Sequence, residues 1–281
     1  MANIIICPEG GLANRLRVIS SALAIQHKAR QSLDCIWAVR RNELNAHFAD
    51  LFQPINGLKI INPPPYLVNL RPALSRHALR RLYCNCINRS HGIGCYLYQD
   101  SSHPGVIEAA LPSALSSVGS SRLPLLIRTW QAFGHYRPFL QLFLPIFELQ
   151  DRINATIHPG QSLIGIHVRR TDHSAAIRFS PLQGFFKAAD QALLENSGSK
   201  LMLCTDDQSV RDAFRRRYRH KVLVSNASLS RDSPSAIQDA VVDLFCLSRC
   251  IRIIGSYHSS FSELAAMIGE RPLHTVGLDA P

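Results

Sequence analysis

No run of about 18 uninterrupted apolar residues occurs in the chain, so no membrane-crossing helix is expected. The opening Met-Ala-Asn-Ile-Ile-Ile-Cys-Pro has neither a basic n-region nor a cleavage site. It reads as a first strand, and a cytoplasmic location is expected. Cysteine is sparse, at 8 in 281 residues. Cys7, Cys35, Cys204, Cys246 and Cys250 lie in apolar strand- or helix-like contexts that suit buried free thiols. Cys84, Cys86, His91 and Cys95 are closer together, but their spacing matches no standard zinc module, so no metal is expected. The glycine turn near the start lacks the Gly-Lys-Ser/Thr of Walker A and is not Gly-x-Gly-x-x-Gly. Neither an aromatic-rich sheet motif nor a recognition-helix pattern is present, which argues against nucleic acid as a partner.

What is present is room and charge. A chain of this length holds two modest domains or one large one, and 46% hydrophobic residues can build real cores. The formal charge of +11, from 31 Lys and Arg against 20 Asp and Glu, favours anionic partners. A nucleotide diphosphate and a peripheral anionic membrane surface both fit. The densest basic run, residues 215–221, reads as the solvated end of a helix, where cations also suit the macrodipole.

Along the chain, 3–7 reads as a strand followed by Glu9-Gly10-Gly11 and a helix to about residue 28, with Leu12, Leu16, Ile19 and Leu23 at helical spacing. Strand, glycine turn and helix start together present backbone N–H groups to a ligand above a sheet. Residues 33–39 and 58–61 read as strands, with a short helix at 45–52 between them. From 63 to about 122 periodicity fails, as in binding loops or short helices capping a cleft. Strand character returns at 123–130, and 138–157 reads as helix interrupted at Pro145. A domain break is placed at Pro159-Gly160. Beyond it strand and helix alternate: strands at 162–168, 201–204, 222–224, 251–255 and 272–276, helices at 181–195, 208–218, 235–250 and 259–269.

Polar clusters fall where these strands stop, at Arg169-Arg170-Thr171-Asp172, Thr205-Asp206-Asp207 and Ser256 to Ser260. In an open parallel sheet ligands sit beyond the carboxyl ends of the strands. A guanidinium fork suits a diphosphate, one arginine entering the site while the other pairs with Asp172. An Arg–Asp pair that only pins a loop fits the same residues. Ser259 and Ser260 open a helix and can receive a phosphate, or serve as an ordinary cap. Asp206 and Asp207 could hydrogen-bond a base or ribose, or cap the helix that follows. Asp243 lies in an apolar helical stretch and needs a partner, for which guanine N1–H and N2–H₂ are a matching pair of donors.

His-Val-Arg-Arg-Thr-Asp (167–172) after a hydrophobic strand resembles the signature of the fucosyltransferase superfamily, which holds the core α-1,6-, the rhizobial nodulation and the protein O-fucosyltransferases. The Thr-Asp-Asp, the Asp-containing helix and the Ser-Ser helix start follow in the same order over roughly 160–270. Gly-Gly-Leu-Ala-Asn-Arg resembles the family's Gly-x-x-Asn element. Trp130-Gln131 resembles an element of α-1,2-fucosyltransferases. The resemblance implies that Arg169 contacts a donor diphosphate, Asp243 the guanine, and Ser259 and Ser260 the phosphates. Gly10, Gly11, Asn14, His167, Arg170, Asp206, Asp207 and Phe261 are then expected to complete substrate binding. Glu9 resembles, at a different spacing, the acidic catalytic base of some protein O-fucosyltransferases. Departures are His173 where lysine often stands and Phe261 where glutamine can.

The expectation is therefore a GT-B fold, two Rossmann-like domains facing each other across a cleft. Residues 1–158 would form the acceptor domain and 159–281 the donor domain. The implied activity is inverting, metal- and cofactor-independent transfer of L-fucose from GDP-fucose to a hydroxyl of a glycan or small-molecule acceptor, with Glu9 or Asp172 as base. The rivals are a GT-B transferase using another nucleotide sugar, and a non-catalytic module binding a nucleotide or anionic glycan.

Overall fold

The computed structural model describes residues 3–41, 43–61, 95–99, 105–121, 123–158, 160–171, 174–230 and 232–277. Two compact units divide the chain, Met1–Leu144 and Pro145–Pro281. Each is built on a sheet of five strands, and all the named pairings are parallel.

In the first unit the strands are β1 (Asn3–Pro8), β2 (Ser32–Ile36), β3 (Leu58–Ile61), β4 (Cys95–Gln99) and β5 (Leu125–Thr129), in the order β3-β2-β1-β5-β4. The helices are α1 (Leu12–Ala29) and α2 (Val106–Ser121). β1 sits centrally because Ile4, Ile5 and Ile6 are β-branched and apolar, so both faces can be covered; Ile4 and Ile6 are fully buried. Gly10 makes the turn into α1 with φ +77, a region L side chains rarely enter.

The second unit holds α3 (Phe147–Thr156), β6 (Leu163–Val168), α4 (Ser174–Phe179), α5 (Leu182–Glu195), β7 (Lys200–Thr205), α6 (Gln208–Tyr218), β8 (Val222–Val224), α7 (Pro234–Ser248), β9 (Arg252–Ser256), α8 (Ser260–Gly269) and β10 (Leu273–Val276). The sheet order is β10-β9-β6-β7-β8. Ile164, Ile166, Phe185, Leu201, Leu203 and Phe214 form one core cluster. Gly165 lets α7 approach β6, since a Cβ there would lie 2.9 Å from Leu247 Cδ2.

Both sheets bear out the expected parallel α/β pattern, and the differences have physical causes. The expected helix at 45–52 is a 3-10 turn at Phe48–Asp50. The aperiodic stretch holds β4 and α2, which the pattern hid because Pro112 and small residues blur α2; residues 62–94, with Cys84, Cys86 and His91, lie outside the described residues. The units divide before Pro145 rather than at 158/159. The reason is α3, which packs on α7. Arg249 Nη1 donates to Asn154 Oδ1 at 2.8 Å, and Arg152 pairs with Asp239. Among the described residues, no helix is long and apolar enough to cross a membrane.

Candidate functional site

The carboxyl edge of the second sheet gathers most of the residues singled out in the sequence. At the end of β6 the Arg169 N–H donates to Ser256 Oγ at 3.0 Å, tying the arginine turn to the end of β9. Asp206, just past β7, accepts from Arg170 N at 2.8 Å on Oδ1 and from Thr171 Oγ1 at 2.7 Å on Oδ2. Its carboxylate thus anchors the arginine loop. Asp207 is the cap of α6, accepting from Val210 N at 3.1 Å and Ser209 Oγ at 2.5 Å. The serine hydroxyl, ahead of the backbone bonds, holds its carboxyl below the usual range. Arg170 reaches the other way, with Nη2 to Ser180 O at 2.7 Å and Nη1 to Ile177 O at 3.3 Å. These carbonyls are its partners here; Asp172, the partner and base expected from sequence, lies outside the described residues.

Beside this loop α8 begins. Its first turn offers N–H groups without intrahelical partners, at the positive end of the helix dipole. Ser259 is buried at the cap, its Oγ 3.2 Å from His167 Nδ1. The imidazole of His167 also packs against Phe261, with ring centroids 4.8 Å apart. Close approach of α8 to β9 depends on Gly255, where a Cβ would fall 2.4 Å from Ser262 Oγ. The half-buried Ser260 is the first residue of the helix proper.

Towards β8 the same unit has a cavity of about 320 Å³, lined by Asp243, Ser225, Asn226, Ala227, Val242 and Thr156 among others. Asp243 is 8% exposed, and its Oδ1 accepts from Ser225 Oγ at 2.5 Å. Burial pushes its carboxyl up to about 6; hydrogen bonds from Ser225 and Cys204 and the charge of Arg211 oppose the shift. Arg211 Nη2 donates to Ala227 O at 2.6 Å and so holds the loop that walls the cavity. Sequence reasoning missed Ser225, Cys204 and Arg211. Ser225 directly follows a strand, which was the available signal; the other two reach the site only through packing.

The raised carboxyl carries a pH consequence. The folded state keeps this proton more tightly than an ordinary aspartate at 3.8 does. The stability associated with it is therefore full below about pH 4 and is lost as pH rises through about 6. The shift corresponds to roughly 3 kcal/mol at 1.36 kcal/mol per unit. In denaturant titrations from pH 4 to 7, the wild-type chain should lose stability relative to Asp243→Asn by an amount of that order. Parallel curves would contradict it.

In the first unit Gly11 caps α1, and a Cβ there would meet nothing within 4 Å among the described residues. A Cβ on Gly10 would lie 3.0 Å from Asn14 Nδ2. Glu9 is 5% exposed, and its Oε1 accepts from Arg128 Nε at 2.8 Å and Nη2 at 2.6 Å. Arg15 is fully buried, donating from Nε to Gly10 O at 2.8 Å and lying over the Trp37 ring. It braces the glycine turn. Arg128 and Arg15 were not singled out in the sequence, although each sits next to a motif that was.

No protein-family model matches the chain, and no curated protein sequence does. Solved structures do. NodZ alpha-1,6-fucosyltransferase of Bradyrhizobium, soaked with GDP-fucose, superposes with a TM-score of 0.62 at 19% identity, over 95% of this chain and 93% of that one. A mutant of Arabidopsis thaliana FUT1 in complex with GDP gives 0.65 at 14%, over 98% and 70%. POFUT1 in complex with GDP gives 0.58 at 12%, over 99% of both chains. The chain shares the fold of these solved structures.

On this shared fold the residues singled out in the sequence sort by position. Arg169, His167, Ser259, Ser260 and Phe261 share the ends of β6 and β9. Asp243 stands apart from them at the β8 side of the same unit. Asp206, Asp207 and Arg170 hold the loops between. Glu9, Gly10, Gly11 and Asn14 belong to the first unit. Among the described residues no group of three or more His, Cys, Asp or Glu is placed to hold a metal ion.

Proposed function

We propose that the chain is a glycosyltransferase that moves L-fucose from GDP-fucose to a hydroxyl of a glycan or small-molecule acceptor, with inversion. The observation that carries this is the cavity at Asp243, set on the same sheet edge as Arg169 and the start of α8. β8 and β6 are two strand spacings apart, roughly 10 Å at about 4.8 Å per strand. A nucleoside diphosphate spans such a distance with its base at one end and its phosphates at the other. Asp243 offers acceptors to guanine N1–H and N2–H₂, and the diphosphate is assigned to Arg169 and the first turn of α8. The fold shared with NodZ, FUT1 and POFUT1, whose structures contain GDP or GDP-fucose, supports the choice.

In the reaction the acceptor oxygen bonds to the anomeric carbon as the bond from that carbon to the β-phosphate oxygen breaks. The electron pair leaves on the diphosphate, where Arg169 stabilises it more in the transition state than before. The hydroxyl proton passes to a base, assigned to Asp172 or Glu9. Since Glu9 Oε1 is taken by Arg128, activity in Glu9→Gln would give the role to Asp172.

Calorimetric titration with GDP, UDP and ADP tests the site, and release of nucleotide from a panel of sugar donors tests the reaction. Tight GDP binding with turnover on another GDP-sugar would replace fucose; binding with no turnover on any donor would make the chain a binding module. Positive charge from arginine and a helix start makes a divalent ion unnecessary in this scheme. Full activity in EDTA is expected, and a strict Mg²⁺ or Mn²⁺ requirement would overturn it.

A further inference from the structure

α4 ends at a buried joint that the reaction scheme does not use. Ser180 follows this helix and is fully buried. Its hydroxyl donates to Val276 O at the end of β10, at 2.7 Å, and accepts from Tyr257 N at 2.7 Å. Its carbonyl accepts from Arg170 Nη2 at 2.7 Å. One serine therefore joins the arginine loop after β6, the edge strand β10 and the turn before α8.

That turn has a conformation that needs holding. Ser259 N donates to Ser256 O at 3.3 Å, closing Ser256 to Ser259, and His258 within it has φ +51. A non-glycine residue there is disfavoured unless its surroundings impose the shape. The Tyr257 amide is the one backbone donor between Ser256 and His258, and Ser180 receives it. Phe179 packs on Tyr257 with ring centroids 5.2 Å apart, repeating the contact through side chains. Room on the far side is minimal: a Cβ on Gly277 would fall 1.8 Å from Phe179 O. Two residues after Tyr257 comes Ser259, whose hydroxyl meets His167.

We infer that Ser180 is a positioning residue for phosphate recognition: by holding Tyr257 it sets where the first-turn N–H groups of α8 point. The hydroxyl is needed because it donates to one backbone group and accepts from another at once. Alanine keeps the volume nearly unchanged and loses both bonds. The Arg170 contact, which uses the Ser180 carbonyl, survives. This inference rests on the reading of α8 as the diphosphate end of the site.

The test uses Ser180→Ala in the full chain. GDP affinity should fall about tenfold, while guanosine, which lacks phosphate, binds as to the wild type. Amide hydrogen exchange without nucleotide should speed up over residues 257–261 and stay protected in α6. Unchanged exchange at 257–261 would overturn the inference, as would a parallel loss for GDP and guanosine. Protection lost everywhere would also overturn it, marking Ser180 as a general stabiliser. If the wild-type chain bound neither GDP nor guanosine, the donor reading would fall, and the exchange measurement would still decide whether Ser180 holds the turn.

Discussion

Arg169→Lys should lower turnover by about 10²–10³, the loss typical of one preorganised donor at developing charge, about 2.7–4 kcal/mol. Lysine keeps the charge and gives up the planar fork that meets two oxygens at once. The backbone link of this residue to Ser256 is untouched by the change, so thermal melting should hardly move. Arg170→Lys gives the contrast. Its guanidinium spans the carbonyls of Ile177 and Ser180, which one ammonium cannot do in the same geometry. There the melting temperature should drop, by about 2–4 °C for each kcal/mol lost, with a milder effect on turnover. Normal turnover in Arg169→Lys would return that arginine to loop anchoring, and early melting would make the loss plain unfolding.

Asp243→Asn should separate recognition from stability in opposite directions. An asparagine has one acceptor where guanine needs two, and its amide sets a donor against the N–H groups of the base. Hydrogen bonds to a charged group contribute about 1.5–3 kcal/mol each, so a loss of roughly 10² in GDP affinity is expected. Inorganic diphosphate should bind as before. At pH 7 the variant should melt no earlier than the wild type, because burial disfavours the ionised carboxyl it replaces. Wild-type guanosine binding should weaken as pH falls through about 6, since the protonated carboxyl turns a donor towards the base. Equal losses for GDP and UDP, or a marked drop in melting temperature, would make Asp243 a structural residue.

Much of this was readable because local patterns and tertiary roles coincide. The Gly10-Gly11 turn, the run into Arg169 and the helix at Gln208–Tyr218 announce themselves through composition and spacing. Asp243 was conspicuous as a charge in an apolar helix. Elsewhere the sequence shows the residue type and withholds its partner. The sequence does not show that the two oxygens of Asp206 meet a loop 35 and 36 residues earlier. Arg170 looks like the twin of Arg169 until its side chain is traced to α4. Glu9 resembles a base and is bonded to Arg128. The unit boundary was misplaced for a related reason: Pro159-Gly160 is a break in composition, whereas the packing of α3 on α7 decides where a unit starts.

The pairing of Glu9 with Arg128 joins residues 119 positions apart, and Arg169 meets Ser256 across 87. Such contacts can form only after long loops have closed, and parallel sheets supply few local pairings to lead the way. The central strands β1 and β6 are largely apolar, so a half-folded chain displays surface prone to self-association. Cool, slow synthesis should therefore favour a well-folded product. During refolding, recovered binding should mark the completion of each sheet rather than its collapse.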